Sequence, residues 1–518
     1  MTLFDLLAHS AAATPDALAL SFHDRNISYR DLALATEGFA GGLAALRLGK
    51  RARIAVLLPN CPAFVISYFA ASRAGATLIP LNVLSRPDEA RYILADCAAE
   101  VLITAEPFRP LLQALRPLLP SLKHIVMVPD TGQCAEGEVD FFELCARQPG
   151  PAVTMSEREV AVILYTSGTT GRPKGAMLTH RNLIANAISC TELLQVTASD
   201  HFATALPLFH SFAALMCVVL PVMVGASMHI AERFSPQHAL RHLEESRATL
   251  YGGVPSMFAL MLSYARDTRP DLSALRICVS GGAPLPPELG AAFEAAFDAR
   301  MVEGYGLTET SPVVAVNPPF GLRKPGSIGL PIPHVQVKVV DEAGRAVATG
   351  QVGELAVKGD NIMKGYLNKP AETKEVIQHG WFYTGDLARM DAEGYLYIAG
   401  RKKELIIVGG LNVYPGEIER VLVTHPAVME AAAFGIPDAT RGEAVWAAVV
   451  LRPEQQVSVK ELQALCREQL APYKVPRGIE ILSELPKNAL GKVQRHVLHN
   501  EVVQKLNQPT IVPRPAEV

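Results

Sequence analysis

The sequence lacks several features that would give quick answers. Its eight cysteines (Cys61, Cys97, Cys134, Cys145, Cys190, Cys217, Cys278 and Cys466) are scattered over 518 residues. None forms a Cys-x-x-Cys pair and no histidine cluster lies beside them, which excludes a structural zinc module and a disulfide framework. They read as reduced thiols that fill core space. There is no charge excess: 48 Lys and Arg face 51 Asp and Glu, a formal net charge of −3. A near-neutral chain has no field for gathering polyanions, so no nucleic acid is expected as a partner. Charged residues are only 19% and hydrophobic residues 49%, which excludes a disordered chain. The first residues, MTLFDLLAHSAAATPDA, have no basic n-region and carry Asp5 within the apolar stretch. They predict an amphipathic helix and not a signal peptide, so a cytoplasmic location is expected.

The most unusual absence is local. No Asp, Glu, Lys or Arg occurs between Asp200 and Glu232. Ser211–Met228, SFAALMCVVLPVMVGASM, has the length of a membrane span. Pro221, Gly225 and the lack of basic flanks argue instead for a buried core helix followed by a buried strand. Peripheral membrane contact and a homodimer stay open.

Apolar runs of strand length alternate with helical patterns: 54–58, a helix over 61–74, then 77–80, 101–104, 124–128, 160–165 and 276–280. This alternation predicts the α/β class with mostly parallel sheets. A β-rich section comes next, with strands at 335–340, 353–357 and 395–398. After Gly400 a smaller unit begins, with Pro415 opening a helix. The expected organisation is a large N-terminal domain of stacked α/β sheets plus the β-rich section (1–400), and a small C-terminal α+β domain (401–518).

The densest chemistry is Tyr165–Gly175, YTSGTTGRPKG, directly after an apolar strand. Three glycines let backbone approach an oxyanion, while hydroxyls and amides donate to it. Lys174 adds a cation. Such a loop suits the β- and γ-phosphates of a nucleotide. It is not a Walker A loop, which needs Gly-Lys-Ser/Thr opening a helix. Here Pro173 precedes the lysine and Ala176–Leu178 reads as extended.

This loop resembles the signature of the adenylate-forming superfamily: acyl-CoA synthetases, firefly-type luciferases and peptide-synthetase adenylation domains. The resemblance spans nearly the whole chain, because six further motifs recur in order: LPLFHS (206–211), SGGAPL (280–285), GYGLTET (304–310), YTGDL (383–387), GRKKE (400–404) and PKNALGK (486–492). The wording is most similar to bacterial medium- and long-chain fatty acyl-CoA ligases. The resemblance implies ATP, Mg2+ and coenzyme A. A carboxylate attacks the α-phosphate to give an acyl-adenylate and pyrophosphate, and a thiol then displaces AMP.

The resemblance also implies roles. Thr166, Ser167, Gly168, Thr169, Thr170, Gly171 and Lys174 hold the phosphates. Gly282 and Ala283 form the adenine-side wall, and Tyr305, between Gly304 and Gly306, stacks on the base. Thr308 reaches the α-phosphate. Glu309, with Thr166, holds the metal. Asp386 takes the ribose hydroxyls and Arg401 reaches ribose or phosphate. Lys492 is the adenylation lysine, and Lys403 the hinge about which the small domain turns. Gly409 and Gly410 then line a tunnel for coenzyme A. His210 gates the reacting carboxylate. Position 407 is Ile407, where several members carry lysine, so no catalytic role is carried over there.

The acyl pocket is expected after His210, at Ser211, Phe212, Ala213 and Ala214. With no acid to hold an ammonium and no Lys or Arg within it for a second carboxylate, though Arg233 or Arg276 could reach in from outside, this run favours an apolar acyl chain. An apolar tunnel selects length weakly, at about 0.8 kcal/mol per methylene. Transfer of the acyl group to a carrier protein, an aryl or small dicarboxylic substrate, and a non-catalytic scaffold are the alternatives. The last would predict loss of Glu309, Asp386 or Lys492, and all are present.

Overall fold

The computed structural model describes residues 1–130, 134–150, 153–166, 172–268, 270–438, 440–487 and 493–507. It forms two compact units. The first is Met1–Lys338 with Ala356–Thr384 and Asp391–Tyr397. The second is Val339–Leu355, Gly385–Met390 and Ile398–Val518, so it takes in segments upstream of residue 401. The α/β class and the large and small parts are as expected.

The larger unit is built on two big sheets. In one, Arg53–Leu57 runs parallel to Thr77–Pro80 and Val101–Ala105, and Thr77–Pro80 is parallel to Val160–Thr166. Val160–Thr166 then turns back antiparallel onto Lys174–Thr179, with Thr166 opposite Lys174. In the other, His201–Thr204, Leu250–Gly253, Ile277–Ser280 and Arg300–Gly306 are successive parallel neighbours. Strands such as Ile277–Ser280 and Thr77–Pro80 are buried along their whole length. Continuous apolar runs, without polar alternation, are what parallel strands covered on both faces require. The helix Pro62–Arg73 starts on a proline and is buried from Ala63 to Ser72.

The uncharged run folds as a core helix and a buried strand. Ser211–Ala214 is α-helical, Leu215–Val219 is a π-helical turn, and Leu220–Val224 is again α-helical. Pro221 has no N–H to give the carbonyl four residues back, which is a sufficient cause for the widened turn. Gly225, at φ +75°, caps the helix, and Ser227–Ile230 comes after it as a fully buried strand. Among the described residues, no helix is long and apolar enough to cross a membrane. The N-terminal helix Leu3–Ala13 forms as expected, opened by a capping box between Thr2 and Asp5.

The smaller unit holds an antiparallel pair, Val428–Asp438 and Gly442–Leu451, with Gly478–Leu482 added in parallel. Ile418, Leu422, Leu462 and Cys466 cover one face of this sheet. Leu485, Leu498 and Val502 cover the other. Arg495, at the start of helix Arg495–Asn507, pairs with Glu404 at 2.8 Å and with Glu419 at 2.8 Å.

Candidate active site

In a parallel sheet, strand carboxyl ends face the ligand crevice. Ile277–Ser280 and Arg300–Gly306 end side by side, with Ser280 paired to Glu303. Beyond Ser280 the chain is exposed at Gly282 and Ala283. Beyond Gly306 it enters the short 3-10 turn Thr308–Thr310. Gly282 has φ +80°, a conformation that favours glycine. Gly306 is needed for an internal reason: a Cβ there would lie 2.1 Å from the Pro312 carbonyl oxygen. Tyr305 is half-buried on this strand.

The turn delivers Glu309 into the interior, where it is 9% exposed. Its carboxylate Oε1 accepts a hydrogen bond from the Tyr366 hydroxyl at 2.9 Å and lies 3.5 Å from the Thr166 hydroxyl. Lys174 stands over the face of the Tyr366 ring, its ammonium 5.3 Å from the centroid. Thr166, Lys174 and Glu309, separated in sequence, are thus gathered around one tyrosine. Burial, and then the Glu309 charge, push the Tyr366 phenol well above its ordinary range, so it stays a donor. Tyr165 anchors the base of the loop by donating to Asp96 at 2.7 Å. Ser167, Gly168, Thr169, Thr170, Gly171 and Lys492 lie outside the described residues.

One residue before Gly304, Glu303 is buried and accepts from the Leu285 N–H at 3.1 Å. Burial pushes its carboxyl up to about 7. It ties the segment carrying Gly282 and Ala283 to the strand carrying Tyr305.

His210 caps the apolar helix, its Nδ1 accepting from the Phe212 N–H at 3.3 Å. Burial pulls the imidazole down to about 4, so the ring is neutral at pH 7 and carries its proton on Nε2. Asn60 holds the preceding strand end. Its amide donates to the carbonyls of Leu206 and Ala231 at 2.8 and 3.0 Å and accepts from the Leu208 N–H at 2.8 Å.

Phe209 and Ser211, on either side of His210 in the sequence, line a small apolar cavity of about 10 Å³. Tyr68, Pro80, Leu164 and Leu183 form one side, and Leu208, Ser211, Ala214, Leu215 and Val219 the other. Among the described residues, no charged side chain lines it. Of the expected pocket residues, Ser211 and Ala214 are on this wall. Ala213 is fully buried and Phe212 points elsewhere. The Phe212 ring lies against the backbone at Gly252 and Gly281, 3.6 and 3.4 Å from where a Cβ would stand.

Asp386, Arg401, Lys403, Gly409 and Gly410 belong to the smaller unit. Asp386 is 3% exposed and its Oδ1 pairs with Arg401 Nε at 3.0 Å. Lys402 pairs with Glu354 at 2.8 Å. Lys403 is exposed in the 3-10 turn Lys402–Glu404. Gly409 and Gly410 are the two turn residues of the hairpin joining Ile406–Val408 to Leu411–Val413, with φ +58° and +81°. Among the described residues nothing lies within 4 Å of a Cβ added at either, and the positive φ of the turn favours glycine at both.

Tyr366, Glu303 and Asn60 stand outside every motif. Each is a polar side chain that folding buries beside a motif, and only the tertiary partner marks it.

A family profile described as AMP-binding enzyme matches residues 7–367, and one described as AMP-binding enzyme C-terminal domain matches 417–492. The chain is 37% identical to a long-chain-fatty-acid–CoA ligase of Bacillus subtilis, over 96% of this chain and 94% of that one. It is 36% identical to a feruloyl-CoA synthase of Amycolatopsis, over 93% and 95%. The crystal structure of ATP-bound MatB from Rhodopseudomonas palustris superimposes with a TM-score of 0.90 at 31% identity, covering 98% of this chain and 100% of that one. The chain belongs to the AMP-binding enzyme family, and with it to the adenylate-forming acid–thiol ligases.

Proposed function

We propose that the protein is an ATP-dependent fatty acid–CoA ligase. The fatty carboxylate oxygen attacks the α-phosphorus of ATP and pyrophosphate leaves. The sulfur of coenzyme A then attacks the acyl carbon, the C–O bond to phosphate breaks, and AMP leaves. The observation that supports the choice of acid is the apolar lining of Tyr68, Leu164, Leu183, Ala214 and Leu215, which suits hydrocarbon and, among the described residues, gives a second charge no partner; the cavity of about 10 Å³ would have to open around a chain.

In this reading Ser167–Gly171 and Lys174 hold the β- and γ-phosphates, while Tyr305, Gly282 and Ala283 hold adenine. Thr308 donates to the α-phosphate and Lys492 lowers the repulsion between the two anions. The neutral His210 shields the carboxylate and offers Nε2–H without adding a charge. Glu309 and Thr166 present hard oxygen donors, the chemistry Mg2+ prefers when substrate phosphates complete its shell. Bound there, the ion would neutralise phosphate charge. Asp386, once its Arg401 partner yields, takes the ribose hydroxyls. Residues 401–518 act as a lid turning at Lys403, after which the Gly409–Gly410 hairpin borders the pantetheine path. Location in the cytoplasm, with membrane contact only at the periphery, completes this proposal.

A second reading, an aryl acid, draws on the feruloyl-CoA synthase relative. Phe212 weighs against it by occupying the space beside Gly252 and Gly281. The test is release of AMP and pyrophosphate with octanoate, palmitate, benzoate and malonate. Palmitate or octanoate should lead by orders of magnitude; a lead for benzoate or malonate would overturn the choice of acid.

A further inference from the structure

The segment 361–367 lies outside every sequence motif, yet it is tied repeatedly to the Glu309 turn and to the strand that leaves the glycine-rich loop. Asn361 donates to the Thr310 carbonyl at 3.0 Å, and the Met363 N–H to the Glu309 carbonyl at 2.9 Å. The Lys364 N–H donates to the Met177 carbonyl at 2.9 Å, and the Leu367 N–H to the Gly175 carbonyl at 2.8 Å. Tyr366 faces Ala176 in the antiparallel pair Gly365–Tyr366 with Lys174–Thr179. Its own N–H donates to the Thr373 hydroxyl at 2.9 Å. The strap therefore fixes the tyrosine backbone against both elements and leaves its hydroxyl on Glu309.

We propose that Tyr366 is a positioning residue that sets the rotamer of the Glu309 carboxylate for a metal ion. A carboxylate on a flexible side chain has several orientations open to it. The hydroxyl bond to Oε1 selects one, and leaves Oε2 without a claim from Tyr366 or Thr166. The same ring carries Lys174 on its face, so one side chain indexes the carboxylate and the loop cation together.

The inference rests on the role proposed for Glu309, and the experiment separates the two. Pyrophosphate–ATP exchange and calorimetric ATP binding are titrated with Mg2+ in the wild type, Tyr366→Phe, Glu309→Gln, the double variant and Thr373→Val. Phenylalanine keeps the ring and its packing. It should lower the unfolding temperature by no more than a few degrees, the cost of one lost buried hydrogen bond, and raise the Mg2+ concentration for half-maximal exchange and for ATP binding about tenfold. The shift should vanish on the Glu309→Gln background. Thr373→Val, which loosens the strap but spares the tyrosine hydroxyl, should leave the Mg2+ curve in place. An unshifted curve in Tyr366→Phe, whether or not its unfolding temperature falls, makes the tyrosine a packing residue and overturns the inference. A Mg2+ curve that Glu309→Gln leaves unmoved overturns the role of Glu309 itself.

Discussion

The Glu309 cluster and the cavity lined by Phe209 and Ser211 belong to the same unit and are both withdrawn from water, but they are built in opposite ways. At Glu309 the contacts are polar and directed: the carboxylate accepts from the Tyr366 phenol, the Tyr366 backbone N–H donates to Thr373, and the Thr166 hydroxyl lies within 3.5 Å of the carboxylate. Buried polar groups are costly unless each finds its partner, so such a cluster tolerates few substitutions. The cavity has no partner to satisfy. Its walls are aliphatic and aromatic, with Ser211 the sole hydroxyl beside Tyr68. It can change shape at modest cost, because volume-conserving apolar exchanges usually cost less than about 1.5 kcal/mol. If the proposed roles hold, the contrast separates reaction from substrate choice: directed polar contacts would fix the first and undirected apolar ones the second.

The sharpest way to break the comparison is to remove the chemistry and keep the pocket. Lys492→Ala should lower acyl-adenylate formation by about 10²- to 10³-fold, the usual loss when one charge-stabilising donor is removed. Thioester formation from supplied acyl-adenylate should be spared. Single-turnover measurement of both half-reactions checks this, and equal loss in both would remove the role given to Lys492.

A smaller effect is expected from filling the cavity and keeping the chemistry. Ala214→Val adds two methyl groups where a chain would run, and kcat/KM for palmitate should fall about tenfold, from about two lost methylene contacts at about 0.8 kcal/mol each. Octanoate should suffer less. Phe212→Ala should do the reverse and improve benzoate relative to octanoate, because it empties the space beside Gly252 and Gly281. Parallel loss for all acids would mean that cavity and chemistry are not separable.

The two regions also differ in how far they can be read from sequence. Thr166, Lys174 and Glu309 stand inside contiguous motifs, so their residue types and spacing carry the message. Tyr366 lies 57 residues from Glu309, and Asn60 lies 148 residues from the Leu208 amide it accepts. Pairings of that kind depend on which sheet edge meets which turn, and local pattern is silent on it. In the uncharged run, apolarity is enough to foresee a core helix and strand. The direction of Phe212 is not foreseeable, because it depends on where the helix begins, and the His210 cap and the π-turn at Leu215–Val219 set its phase against the sheet. Gly306 shows a different limit. A glycine beside Tyr305 suggests close approach of a ligand, whereas the chain's own Pro312 carbonyl requires it.

The smallest effect expected is on stability, and its sign can be worked out. Burial pulls His180, His210 and His229 each down to about 4, from an ordinary value of 6.5. Between those limits the unfolded chain binds protons that the folded chain refuses, so stability falls as pH drops from 6.5 towards 4. Glu303 acts against this. Its carboxyl is raised from 4.5 to about 7, so the folded chain keeps a proton that the unfolded chain has lost, and stability falls as pH rises from 4.5 to 7. Burial lowers His242 as well, so the histidines together outweigh the one carboxyl, and the urea midpoint should climb between pH 4.5 and 6.5. Glu303→Gln isolates the opposing group: the amide oxygen still accepts the Leu285 N–H, and no charge has to be buried. The variant should match the wild type at pH 4 and exceed it at pH 8 by on the order of 2 kcal/mol. A constant difference at both pH values would mean that Glu303 is ionised in the folded protein, with a cation or water compensating it between Leu285 and Tyr305.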